Sequence, residues 1–318
     1  ADANLDELYT ELYGAGVLAF YRDDTKRFYI IESGEPFGPG DKVTVSHEFT
    51  HALQDQHFDL TGTRIDDLSE GDAALGQIGA IEGDATLTMQ LWAQSNLSET
   101  EMFQYLLDSL GQAGEIDLDS IPWILRRQLE YPYADGYLFI QGVQGAGGFE
   151  AVNQAISDPP ESTEQVLHPE KYTADEQPVQ AFSPDLAEAL GEGWSNAYQQ
   201  TMGELLMQVF VAGEDTPTPL PGLPAEWEHA EAAAGWGGDR LMMYENPNGD
   251  WGIVWSTAWD TEADSTEFHA RAQQLQALLG GESKLVTGLP NSGVAILIAS
   301  DAAVLSDLDA ALVAAAGG

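Results

Sequence analysis

The chain has 318 residues, with 53 acidic side chains against 11 Lys and Arg and a formal charge of −42. That balance argues against nucleic acid and anionic lipid surfaces as partners, and its self-repulsion is what a halophilic protein tolerates because salt screens it. There is no cysteine, so disulfides and thiolate metal sites are excluded.

The length allows one large core or two moderate ones. No apolar run reaches the roughly 18 residues of a membrane span, and no signal-like segment opens the chain. A start at Ala1 rather than Met fits a processed or truncated chain from which an upstream signal or membrane anchor has been removed.

In chain order, residues 4–13 read as a short amphipathic helix. Val17–Tyr21 and Arg27–Ile31 flank Asp23-Asp24-Thr25-Lys26, a hairpin pattern. The breaker run Pro36-Phe37-Gly38-Pro39-Gly40 then precedes Asp41, a candidate N-cap for a helix containing His47-Glu48-Phe49-Thr50-His51. This HExxH spacing has a physical reason. Residues four apart lie about 40° apart around a helix, so His47 and His51 can offer imidazole nitrogens to one metal ion, and Glu48 stands beside the open position as a general base for a bound water. Val45, Phe49, Ala52 and Leu53 form an apolar stripe expected to anchor the helix in a core.

A zinc site of this kind needs a third protein ligand. His57 stands where a metzincin places it, but Gln54 occupies the position of the helix-breaking Gly, and on an unbroken helix His57 lies about 240° around from His51. The alternative is Glu82, the only charge on the stripe Leu75, Ile78, Glu82, Ala85, Met89 and Trp92. A carboxylate on a buried stripe needs a partner, either the metal or an Arg such as Arg126 or Arg127. Ser69-Glu70-Gly71-Asp72 resembles a capping box for that helix, Gly83 is expected to let it approach the His47 helix closely, and Asp84, about 200° from Glu82, is expected to be solvated.

His47-Glu48-x-x-His51 followed by Glu82-Gly83-Asp84-Ala85 resembles the gluzincin metallopeptidases, specifically the peptidase-MA-like group with its Glu-Gly-x-Ala second motif. Pro132-Tyr133-Ala134-Asp135-Gly136 is similar to the Pro-Tyr-x-x-Gly element of aminopeptidase-type gluzincins. The resemblance covers residues 43 to about 150. It implies Zn2+ held by His47, His51 and Glu82, Glu48 as catalytic base, Tyr133 as oxyanion donor, and a thermolysin-like plan in which an edge strand binds substrate backbone by strand addition. The Gly-x-Met-Glu-Asn strand that gives aminopeptidases their preference for a free amino terminus is absent. From the residues alone, Tyr133 is equally a Tyr packed for its ring in a Pro-bounded turn.

Further on, residues 99–110 and 120–131 read as helices, and Ala134–Gly142 continues beyond Tyr133. Ser162 with Gln165 caps a short helix that Pro169 must end; His168 then reads as a cap for its own helix or, as the resemblance to gluzincins implies, as a second oxyanion donor. Residues 183–212 read as helix, and Gly213–Pro224, with four prolines in eight residues, as a stiff linker. Beyond it a ββαββα order, with an Asn248-Gly249 hairpin turn, suggests a small α+β subdomain with helices on one sheet face. His229 and His269 have no ligand-spaced neighbours and read as structural or surface residues.

The expected fold class is therefore α+β, with a zincin-like catalytic domain over 1–212, a linker over 213–224 and a subdomain over 225–318. The expected function is zinc-dependent hydrolysis of peptide or protein substrates in an extracellular or cell-surface setting. A zinc-containing binding or scaffold protein is the alternative, and a non-peptide amide or ester the weaker option for substrate. No loop has the acid spacing of an EF-hand calcium site.

Overall fold

A computed structural model describes residues 19–31, 36–60, 71–112, 122–213 and 229–317. The expected helix at 4–13, the capping residues Ser69 and Glu70, and all of the linker except Gly213 lie outside the described residues. The chain is of mixed α+β composition and divides into two compact units, Ala1–Thr63 with Gln77–Pro159, and Arg64–Gly76 with Pro160–Gly318. Among the described residues, no helix is long and apolar enough to cross a membrane.

The first unit is a two-stranded hairpin with helices. Strands β1 (Ala19–Arg22) and β2 (Arg27–Ile30) pair antiparallel, with Tyr21 opposite Phe28. Helix α1 (Pro39–Phe58), with Gly38 at its N-cap, starts three residues earlier than the Asp41 cap predicts. Pro39 takes the first helical position, where its missing N–H costs nothing, and Asp41 Oδ2 accepts the Gly38 N–H at 2.6 Å. Helix α2 (Gly71–Asn96) begins with the second unit and runs on in the first. Helices α3 (Glu99–Gln112) and α4 (Trp123–Ser157) complete the unit, and α4 is interrupted at Gly148, whose φ of 67° and ψ of −165° are not helical.

Of the two expected apolar stripes, only Ala52 on α1 and Ala85 on α2 are buried. On α1, Phe49 and Leu53 are 57% and 41% exposed, whereas Val43, His47, Thr50 and Gln54 are buried. Those four also recur at helical spacing, so the helix is amphipathic by position while its inner face is polar. Helix α2 is buried nearly all round between Asp72 and Leu87, and the Leu75, Ile78, Glu82, Met89 and Trp92 side is the half-buried one. Its tightest packing is against α4 and not, as expected for Gly83, against α1. A Cβ on Gly83 would lie 2.2 Å from Gly136 O, and one on Gly136 would lie 2.2 Å from Gly79 O. The two helices cross with backbone touching backbone, which only glycine permits.

The second unit is a five-stranded antiparallel sheet in the order β3-β4-β5-β7-β6, formed by Ser195–Gln200, Trp236–Glu245, Trp251–Trp259, Glu282–Leu289 and Gly293–Ala299, with β7 being the last of these in sequence. The expected ββαββα order is present from β4 onward, with α9 (Glu262–Leu275) and α10 (Ala302–Ala316) as its helices. Before it, α5 (Thr163–Leu167), α6 (Pro169–Thr173), α7 (Ala187–Leu190) and α8 (Gly203–Ala212) are short. The single helix expected over 183–212 is therefore corrected to α7, β3 and α8. The polar run Ser195–Gln200 has no apolar stripe to bury as a helix, and it pairs instead along β4.

The helices also lie on both sheet faces rather than one. Along β7, Ala295, Leu297 and Ala299 pack with Val304, Leu308 and Leu312 of α10, while Val294 and Ile296 pack with Phe268 and Ala272 of α9. A strand covered on both faces needs no polar alternation, and Gly293–Ala299 reads GVAILIA for that reason. Because β3 joins this sheet and α5 to α8 belong with it, the unit extends back to Pro160.

Candidate metal centre

Three side chains predicted to share a metal come together in the first unit. His47 Nε2 is 3.0 Å from Glu82 Oε2, His51 Nε2 is 3.1 Å from His47 Nε2, and His51 Nε2 is 3.4 Å from Glu82 Oε2. Ligand atoms about 2.0–2.1 Å from a tetrahedral zinc are about 3.3–3.4 Å from one another, so this triangle is one face of such a site within a few tenths of an ångström. The donor set, two imidazoles and one carboxylate, also suits zinc.

The α-helical period accounts for the two histidines, and α2 brings Glu82 to them across 31 residues of chain. Arg126 and Arg127, the other partners considered for Glu82, pair along their own helix with Glu130 at 2.7 Å and Asp135 at 2.6 Å. His57 is exposed near the end of a helix that continues past it to Phe58. On that unbroken helix it lies about 240° around from His51.

The charges couple as strongly as the distances suggest. Burial disfavours a charged His51, but the Glu82 carboxylate outweighs it and raises His51 to about 9. Burial likewise opposes ionisation of Glu82, yet His51 and His47 hold it well below the usual carboxylate range. A proton shared in this way is what a divalent cation displaces on binding.

Glu48 follows on α1, and its Oε2 accepts the backbone N–H of Tyr21 in β1 at 3.0 Å. This edge contact holds one carboxylate oxygen and leaves Oε1 to receive a proton. The hairpin is fastened by Asp55, whose Oδ2 accepts the Tyr21 hydroxyl at 2.6 Å and whose Oδ1 accepts Lys26 Nζ at 2.5 Å. With burial and Asp55 both favouring the phenol, Tyr21 is pushed up to about 12. Tyr133, on α4 directly after Pro132, is 51% exposed, and its ring centroid is 6.0 Å from that of His47. Pro132 lies inside the helix rather than at a turn, and the crossing at Gly136 one turn later brings Tyr133 alongside the histidines.

Two residues of the site were not legible as such. Gln54, read only as the absence of a glycine, is 2% exposed and meets His51 Nδ1 with its Oε1 at 2.9 Å. Asp84, expected in solvent, is buried and accepts Gln54 Nε2 at 2.8 Å. The available signal was Gln54 at i+3 from His51, on the His side of α1.

His168 lies in the second unit, where its Nε2 is 3.0 Å from Oε1 of the buried Glu204. That hydrogen bond, against the penalty of burial, raises the His168 pKa. Glu164, Glu176 and Asp260 also converge in this unit. Lys171 Nζ is 2.7 Å from each of them, so an ammonium already occupies the point where they converge.

Residues 189–308 match a family model described as a domain of unknown function (DUF8575). The match spans the five-stranded sheet, α8, α9 and the start of α10, and contains none of His47, Glu48, His51, Glu82, Tyr133 or His168. No curated protein and no solved structure matches the chain.

Proposed function

We propose that this protein is a zinc-dependent peptidase of the gluzincin type, with His47, His51 and Glu82 as the metal ligands. The observation that carries the reading is the 3.0–3.4 Å triangle formed by their three donor atoms. A hairpin docked beside the HExxH helix supports a thermolysin-like plan, with β1 as the candidate substrate strand.

Zinc in this site supplies polarisation of the scissile carbonyl and brings the pKa of a water towards neutrality. Glu48, with Oε2 held by Tyr21 N–H, takes the proton of the attacking water on Oε1 and passes it to the leaving amine as the C–N bond breaks. The Tyr133 hydroxyl donates to the carbonyl oxygen as negative charge accumulates there. His168, whose Nε2 is held by Glu204, is assigned no step here. The charge of −42 supports action in a saline setting, and the enzyme class supports one outside the cell or at its surface.

Elemental analysis and a peptide-cleavage screen test this together. Wild type and Glu48→Gln should each hold one zinc per chain, Glu82→Gln should lose it, His57→Gln should keep it, and Glu48→Gln should show no turnover. Turnover retained by Glu48→Gln would sink the mechanism. Zinc in the wild type without cleavage of any peptide would favour the binding or scaffold reading instead.

A further inference from the structure

We propose that Gln54 is a positioning residue that sets the tautomer of His51, with Asp84 as its anchor. This rests on the zinc reading, and it concerns Gln54, which lies outside the HExxH pattern, and Asp84, which holds the unspecified position of the Glu-Gly-x-Ala pattern.

A glutamine side chain has two N–H donors and one carbonyl acceptor. Here both donors are assigned. Gln54 Nε2 lies 2.9 Å from Ile81 O and 2.8 Å from Asp84 Oδ2, a carbonyl and a carboxylate that both accept. Turning the amide over would set its oxygen against those two oxygens in a buried place, so the orientation is fixed. Gln54 Oε1 is then what faces His51 Nδ1 at 2.9 Å, and an oxygen there requires a proton on Nδ1. The lone pair of the neutral ring is thereby assigned to Nε2, the atom in the ligand triangle.

The local geometry makes this possible. Gln54 is one turn beyond His51 on α1, so amide and imidazole share a face. Helix α2 carries Glu82 to one side of the histidines and, two residues later, Asp84 to Gln54. One helix therefore supplies both a ligand and the anchor for the group that orients another ligand. Asp84 is held in turn by a side-chain hydrogen bond with Thr88.

The test uses the full chain in high salt and two measurements. Long-range 15N–1H spectra of the metal-free protein, recorded at alkaline pH where the imidazole is neutral, report which His51 ring nitrogen carries the proton, and competition against a chelator reports zinc affinity. In the wild type, His51 Nδ1 should carry a slowly exchanging proton. Gln54→Leu should lose that protection and weaken zinc binding roughly 10–100-fold, the usual effect of removing a group that orients a metal-bound histidine. Asp84→Asn, whose side-chain oxygen still accepts from Gln54, should keep the Nδ1 proton and stay within about threefold of wild-type affinity. A purely structural role for Gln54 would lower stability without changing the ring spectrum.

An unprotonated Nδ1 in the wild type, or wild-type zinc affinity in Gln54→Leu, would overturn the assignment. If Gln54→Leu does not fold, the wild-type ring spectrum and Asp84→Asn still decide it. A protected Nδ1 in a wild type that takes up no zinc would uphold the Gln54 contact while refuting the metal reading, which keeps the two failures apart.

Discussion

Replacing Gly83 by Ala adds one methyl group at the point where α2 and α4 touch. That carbon would lie 2.2 Å from Gly136 O, 2.5 Å from Gly136 C and 3.0 Å from Ile140 Cγ1. The first two are backbone atoms that cannot rotate away, and the distances are more than about 1 Å short of an ordinary contact near 3.5 Å. The helices must separate by about 1 Å, at an overpacking cost of about 3 kcal/mol or more. Alanine recovers about 1 kcal/mol of helix propensity, so a net loss of at least about 2 kcal/mol is expected. For a unit of this size that corresponds to a fall in Tm of roughly 4–8 °C. The displacement also carries Glu82, the neighbouring residue, by about as much, when ligand distances tolerate only about 0.2 Å. Thermal unfolding followed by circular dichroism in high salt, with and without zinc, gives both effects. Gly142→Ala and Gly145→Ala are the controls, since nothing lies within 4 Å of a Cβ at either position, and both should be neutral or stabilising by up to about 1 kcal/mol. A Gly83→Ala protein that melts with the wild type and binds zinc equally well would refute the helix-crossing argument.

Three other outcomes are expected. Asp72 is fully buried, and although Thr163 donates to its Oδ1 through both N and Oγ1, burial raises its pKa to about 7. The folded state therefore binds more protons than the unfolded one between pH 4 and 7, and this group's stabilisation is present at low pH and lost as pH rises through about 7. Asp72→Asn should remove that slope, by up to about 4 kcal/mol across the window, as read from urea unfolding of both proteins at several pH values; parallel curves would show that Asp72 does not titrate there. Tyr21→Phe deletes the hydroxyl donor to the buried Asp55, which should cost about 1.5–3 kcal/mol and lower kcat by loosening the strand that holds Glu48, with zinc content unchanged. With a charge of −42, the Tm should rise between 0.1 and 2 M KCl as the screening length shrinks from about 10 Å to below 3 Å; a Tm that is flat or falls over that range would count against the halophilic reading.

Much of the local structure is legible in the residues themselves because short-range geometry determines it. The i, i+4 histidines, the hairpin around Asp23–Lys26, the Ser162 cap that accepts Gln165 N–H, and the β4–β5 hairpin, whose turn closes over Asn246–Gly249 with Pro247 and Asn248 at its centre rather than Asn248-Gly249, depend on neighbours in the chain. The choice between His57 and Glu82 was also largely decided by helical phase, since nothing breaks α1 before His57. What local pattern misjudges is which face is inside. Of the expected core stripe Val45, Phe49, Ala52 and Leu53 only Ala52 is buried, and the inner face is the one carrying His47, Thr50 and Gln54, because its polar groups bond to Glu82, Ile81 O and Asp84 on α2. The same cause hid Asp84, whose burial is supported by a glutamine 30 residues away.

By itself the sequence determined the helix carrying His47, Glu48 and His51, the α+β class and the order of the C-terminal elements, all of which follow from spacing and turn chemistry. Only the tertiary structure decided that Glu82 meets the two histidines, that Gly83 and Gly136 are each other's neighbours, that β3 is a strand, and that the C-terminal sheet is covered on both faces. Each of these depends on which distant surface a segment packs against, and that energy is shared between two elements, so neither element's own pattern reveals it.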